Sequence, residues 1–232
     1  MKKTISMILA LMLCMTGCAA LAQGDLVVKE QTYTPVELFE DSFYGYVFAR
    51  LENIGEVDAY FDRGTLSILD EAGKAEAERA IFTCYPNVVK PGESAFLFAY
   101  QAVEGVKSAQ EISNHALEIL DSEALEAPPV MLSVTDAVYA QEADLFGEPV
   151  YKIYVTAKNE TDKALFTPSV AFGLYDQNGT LIYVDAMTLF DMGVPAGQSF
   201  IMTFSIDDAF KAAWDAYGIA PQRVEALAMV QY

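Results

Sequence analysis

Leu66-Ser67-Ile68-Leu69-Asp70-Glu71-Ala72-Gly73 and Phe172-Gly173-Leu174-Tyr175-Asp176-Gln177-Asn178-Gly179 read alike: apolar, small, apolar, apolar, Asp, two free positions, Gly. They lie 106 residues apart, and the same spacing relates Asn53 to Asn159, Val28 to Val134 and Tyr33 to Tyr139. Pro91-Gly92-Glu93-Ser94 answers Ala196-Gly197-Gln198-Ser199 at 105, and Leu117-Glu118-Ile119 answers Val224-Glu225-Ala226 at 107. Matches that keep their order, with drifts of one residue, are what a duplicated unit with altered loops produces.

Each copy reads as β. Residues 44–51 and 151–157 place an aromatic or aliphatic side chain at every second position, the period of a strand. The Asp-x-x-Gly turn after the central strand has a mechanism, because Asp caps its own turn and Gly takes positive φ. Pro91-Gly92 and Pro195-Ala196-Gly197 punctuate later loops, each followed by a short strand with Phe96 or Phe200. About seven short strands in about 100 residues point to an immunoglobulin-like sandwich. The expected fold is therefore all-β, with two tandem immunoglobulin-like β-sandwich domains over residues 25–126 and 130–232. Ala127-Pro128-Pro129 forms a short stiff connection between them.

Two stretches suggest helix. The run Ala75-Glu76-Ala77-Glu78-Arg79-Ala80 within residues 71–80 has helix propensity but follows a turn glycine, and is expected to be a loop or helical turn. Residues 207–218 predict one short helix in the second domain. Asp207 or Asp208 would cap it, Phe210, Trp214 and Tyr217 would share one face, and Gly218 would end it. Trp214, the only Trp, is expected to dock that helix onto the second sandwich.

Phe172-Gly173-Leu174-Tyr175-Asp176 resembles the motif of the FxLYD family, small immunoglobulin-like modules of bacterial and archaeal surface lipoproteins. The second copy carries the full motif. The first has Leu66 and Leu69 where the family has Phe and Tyr, so its membership rests on the repeat. The resemblance implies fold and surface location, and no reaction. Phe172, Leu174 and Tyr175 are expected to pack in a strand, and Asp176 and Gly179 to build its turn.

The N-terminus has the order of a secretory signal: Lys2 and Lys3, an apolar stretch over residues 5–15, then small residues. Met15-Thr16-Gly17-Cys18 resembles the bacterial lipobox, which implies a signal peptide over residues 1–17 and a lipid on Cys18. Ala20-Leu21-Ala22 also reads as an ordinary cleavage site before Gln23, so processing at either position stays open. The expected location is extracytoplasmic, anchored to the cell membrane by the lipid on Cys18.

The chain carries a formal net charge of −19, and cleavage before Cys18 would leave 12 basic against 33 acidic residues. That balance argues against nucleic acid as a partner and is compatible with cationic partners. With Cys14 removed in the signal peptide and Cys18 lipidated, only Cys84 would remain, so no intrachain disulfide is expected, and a buried apolar role is expected for it. A single His, His115, leaves no matched triad and no usual zinc spacing. Phosphate-cradling glycine loops are absent. Asp176-Gln177-Asn178-Gly179 lacks the alternating oxygen ligands of an EF-hand, and a turn explains it. No catalytic residue, cofactor or metal site is expected. The sequence thus reads as a non-catalytic cell-surface binding or scaffolding module with a protein or glycan ligand. An accessory or structural subunit of a cell-envelope complex is the alternative.

Overall fold

A computed structural model describes residues 25–40, 42–70, 73–112 and 114–231. Cys18 and the expected signal peptide lie outside these residues. The fold is all-β, two sandwiches in tandem. In the first copy the strands are β1 (Leu26–Phe39), β2 (Ser42–Asn53), β3 (Ala59–Leu69), β4 (Ala75–Ile81), β5 (Val88–Val89), β6 (Ser94–Val103) and β7 (Asn114–Glu123). In the second they are β8 (Val130–Ala143), β9 (Pro149–Lys158), β10 (Leu165–Phe166), β11 (Pro168–Asp176), β12 (Leu181–Thr188), β13 (Gly193–Val194), β14 (Ser199–Ile206) and β15 (Pro221–Val230). One helix, α1 (Asp208–Ala216), lies between β14 and β15.

The pairing repeats as the sequence does. One layer of the first copy runs β1-β2-β6, and the other joins β3 to β4, β5 and β7. The second copy has β8-β9-β14 and β12-β11-β15 in the same roles, all antiparallel. A short ladder between β15 and β8, from Ala228↔Leu132 to Val230↔Val130, joins these layers into one sheet of six strands. A 3-10 turn at Ala109–Ile112 stands in the first copy where α1 stands in the second.

The run 75–80 forms strand β4 rather than a loop or helical turn, pairing Ile81 through Ala75 with Gly64 through Leu69. Helix propensity is a difference of tenths of a kcal/mol per residue, and the ladder offered by β3 outweighs it. The helix at 208–216 forms as expected, with Asp207 as N-cap accepting from the Ala209 N–H at 2.8 Å, and Gly218 at φ +66° just past its end. Tyr217 departs from expectation. It is the C-cap and is 73% exposed, so Phe210 and Trp214 alone anchor the helix.

Inside the first sandwich Val47, Leu51, Phe61, Leu66, Ile68, Leu97 and Cys84 form a separate core. Cys84 is fully buried and unpaired, and burial pushes its thiol pKa well up, as befits a packing residue. The second core does not stop at the second copy. Val36, Phe48 and Phe96, from the outward face of the β1-β2-β6 layer, belong to it. β2 is therefore buried on both sides: Val47 and Leu51 point inward, while Phe48 meets Tyr183 at 5.0 Å between ring centroids.

Polar contacts cross the same junction. Thr32 Oγ1 donates to the Leu181 carbonyl, and Arg50 pairs with Glu225 at 3.7 Å. The face of the second copy equivalent to this junction is polar instead. There Glu142 accepts from Lys152 Nζ at 2.9 Å and from the Tyr154 hydroxyl at 2.6 Å.

Gly173 marks a close approach of the copies. A Cβ there would lie 2.6 Å from Phe96 Cε1 and 2.9 Å from Leu181 Cδ1. Gly173→Ala is expected to cost about 1–3 kcal/mol in a thermal melt, the usual range for overpacking. Phe96→Leu in the same chain should recover part of that loss. If the single variant melts like the wild type, the junction is looser than described.

Candidate functional site

The motif residues serve packing. On β11, Phe172 and Leu174 are fully buried toward the second core, with Phe172 edge-on to Phe204 at 4.8 Å. Gly173 and Tyr175 face the first copy. The Tyr175 hydroxyl donates to Glu225 Oε2 at 3.1 Å, and the Arg223 guanidinium lies 4.1 Å from its ring centroid. Asp176 spends its carboxylate on its own turn: Oδ1 accepts from the Asn178 and Thr180 N–H groups at 2.8 Å each, and Gly179 has φ +80°. Burial would raise the Asp176 pKa, yet these N–H donors hold it below the ordinary carboxylate value. Asp70 repeats the turn, accepting from Lys74 N at 2.8 Å, with Gly73 between them at φ +80°. These residues are brought together by the strand, and the site lies elsewhere.

The candidate site is a cleft of about 230 Å³ where the β1-β2-β6 layer, β12 and the start of α1 meet. Tyr46 and Phe48 on β2, Tyr100 on β6, Tyr183 and Asp185 on β12, and Phe210 on α1 line it, with Asp207 at its rim. Tyr46 stacks on Tyr100 at 5.0 Å and meets Phe210 edge-on at 4.9 Å, and Phe210 meets Tyr183 at 5.0 Å. The rings are placed by the alternation of β2, which sends 44, 46 and 48 outward together, and by the helix that carries Phe210 up to them. A second groove of about 260 Å³ adjoins it, sharing Phe98 and Tyr100 and lined by Arg79 and Phe82. A larger hollow of about 920 Å³ near Lys74, Glu76, Glu104 and Glu111 is bordered mostly by exposed side chains.

Asp185 sets the electrostatics. It stands opposite Phe172 in the β11–β12 ladder and accepts only the Ala186 N–H, at 2.7 Å. Among the described residues no lysine or arginine pairs with it. Burial raises its pKa to about 6, against the opposing pull of that N–H. Burial, then Tyr100, Tyr44, Asp207 and Asp185, push the Tyr46 hydroxyl up to about 12, so it stays a neutral donor at physiological pH. A half-buried carboxylate with a raised pKa, facing a cavity, is the kind of group that marks binding sites. Sequence reasoning missed it, although an Asp inside Leu181-Ile182-Tyr183-Val184-Asp185-Ala186 was a visible signal.

The raised pKa has a consequence for stability. The carboxyl titrates near 3.8 when unfolded and near 6 when folded, so between those values the folded chain binds more protons and loses stability as pH rises. The loss is complete above about pH 6 and amounts to no more than about 3 kcal/mol, reduced by solvent access to the carboxyl. Asp185→Asn should therefore melt higher than the wild type at neutral pH, with the gap closing near pH 4. An equal or lower melt at neutral pH would show that Asp185 is well solvated.

No family model and no curated protein matches the chain. Among solved structures, the N-terminal CBM22-1-CBM22-2 tandem domain from Paenibacillus barcinonensis Xyn10C aligns over 93% of each chain at 9% identity, with a TM-score of 0.16. That score is too low to carry an inference about ligand. Among the described residues no three His, Cys, Asp or Glu side chains converge as a metal ligand set, and no helix is long and apolar enough to cross a membrane.

Proposed function

We propose that this chain is a non-catalytic, extracytoplasmic binding module, a cell-surface lipoprotein tethered through Cys18, whose second sandwich is of FxLYD type. The observation that carries this reading is the tyrosine-lined cleft between the copies. Aromatic rings, a half-buried carboxylate and neutral hydroxyls give recognition chemistry. Binding at a junction between domains is also a common location for ligands.

Two measurements test it. Retention of an envelope component by the immobilised chain should fall for Tyr100→Ala, whose side chain is 43% exposed and so removable without loss of fold. Unchanged retention would remove the cleft from the binding function. Metabolic labelling with a fatty-acid analogue should mark the wild type and not Cys18→Ala. An unlabelled mature chain starting at Gln23 would leave secretion but end the anchor.

The second reading, an accessory subunit of an envelope complex, draws on Leu145 and Phe146. They stand 99% and 89% exposed at the β8–β9 hairpin tip, where an isolated chain gains nothing from them. Stoichiometric recovery of a protein partner, lost in Phe146→Ser, would favour it.

A further inference from the structure

We propose that the cleft between the copies binds an organic ammonium group, held by the faces of Tyr46, Tyr100, Tyr183 and Phe210 and by the Asp185 carboxylate. The inference rests on the cleft being the binding site and goes on to name its occupant by chemistry.

Four observations converge on a cation. The walls are mostly aromatic rings, and the face of such a ring attracts positive charge through its quadrupole. The lining holds two carboxylates, Asp185 and Asp207, and no basic side chain to neutralise them. A half-buried carboxylate held only by a backbone N–H is costly to keep charged, and a ligand cation supplies the missing counter-charge. Finally, a formal net charge of −19 steers cations inward and repels anions.

The neighbouring groove shows the same chemistry in miniature. There Arg79 already sits over the Tyr100 ring, 5.9 Å from its centroid. A volume of about 230 Å³ suits a small alkylammonium or quaternary ammonium head, either free or at the end of a longer molecule. A divalent metal ion is disfavoured because it wants six or more oxygen ligands, and among the described residues no three His, Cys, Asp or Glu side chains converge as a ligand set. An anion would meet two carboxylates, and a neutral polyol would leave Asp185 uncompensated.

Simple model compounds test the chemistry directly. Choline, butylammonium and 3,3-dimethylbutan-1-ol (the neutral isostere of choline) are titrated into the whole mature chain near neutral pH. Calorimetry measures binding, and the fluorescence of Trp214 reports it locally, since that ring contacts Tyr183 and Phe210. At least one ammonium should saturate, with the neutral isostere at least about tenfold weaker. Whether the quaternary or the primary ammonium wins separates a purely aromatic cage from one that also receives N–H donors.

Asp185→Asn should weaken the ammonium about tenfold or more while melting no lower than the wild type. Wild-type affinity should also fall as pH drops through about 6, where Asp185 takes up a proton. The groups around Asp185 are Tyr46 on β2, Tyr85 before β5 and Tyr183 on β12, all neutral there, and the Asp207 carboxylate in the same cleft, which Asp185→Asn leaves in place, so the pH dependence should vanish in that variant.

Equal binding of the isostere, an unaffected Asp185→Asn, or no saturable ammonium signal would each overturn the inference. If the last of these occurs while retention of an envelope component still depends on Tyr100, the cation is wrong and the binding module stands.

Discussion

Trp214→Ala is expected to destabilise the chain by about 3–5 kcal/mol, the usual cost of deleting a large buried ring. Trp214 is 2% exposed and holds α1 against Tyr183 of β12, 6.1 Å away edge-on, beside Phe210 one turn earlier on the same helix. A nine-residue helix has little stability of its own, so it persists through the face it buries. The loss should therefore reach beyond the second copy, because Phe210 on the same helix packs on Tyr46 and Phe48 of the first. Denaturant unfolding checks the size of the effect. Trp214→Phe sharpens the test: among the described residues the buried indole Nε1 has no hydrogen-bond partner, so its removal forfeits ring volume but no bond. A Trp214→Phe variant as unstable as Trp214→Ala would mean that the indole N–H has a partner after all. Red-shifted emission of the native chain, with an unchanged melt for Trp214→Ala, would place the ring in solvent and refute the packing role outright.

Asn159→Ala should cost several kcal/mol, and Asn53→Ala a similar amount. Both side chains are fully buried at the ends of β9 and β2. Asn159 Nδ2 donates to the Lys163 and Val194 carbonyls at 2.8 and 2.9 Å, while its Oδ1 accepts from the Thr161 N–H and hydroxyl. Asn53 does the same toward Val57 and Val89, and accepts from Gly55 N. Each carbonyl left without a donor costs about 1–3 kcal/mol, and alanine removes two donors at once, although the Lys163 carbonyl still accepts from the Thr161 hydroxyl. Melts of the two single variants should fall by comparable amounts, because the clamp is the same in both copies. A near-neutral result at either position would mean that water reaches those carbonyls.

Much of this architecture is legible in the residues. The 106-residue offset brings β2 onto β9 and β4 onto β12 within a residue, and the start of β6 onto that of β14, because turn glycines and strand periodicity are local signals. The strand at 75–81 is hidden for the opposite reason. Its partner β3 decides it, and pairing is not local. The cleft is harder still. Tyr44, Tyr46 and Phe48 alternate with Phe43, Val47 and Ala49, so both sets are apolar, the pattern of a strand covered on two sides. Alternation marks one set as core but does not say what covers the other. Tyr217 shows a smaller failure of the same kind: helical spacing sets it beside Phe210 and Trp214, but the helix ends at Ala216 and turns it out to solvent.

The junction joins two different faces of one repeated unit, the β1-β2-β6 layer of the first copy against the β12-β11-β15 layer of the second. Such head-to-tail contacts do not close on themselves, and a third unit could in principle dock on each free end to give an open filament. The ends are built against that. Where the first copy has Val36, Tyr46 and Phe48, the second has Glu142, Lys152 and Tyr154 tied together by hydrogen bonds. At the opposite end, β4 presents Glu76, Glu78 and Arg79 to water. Each copy thus covers the other's apolar face, in the way terminal units of repeat proteins carry polar outer faces.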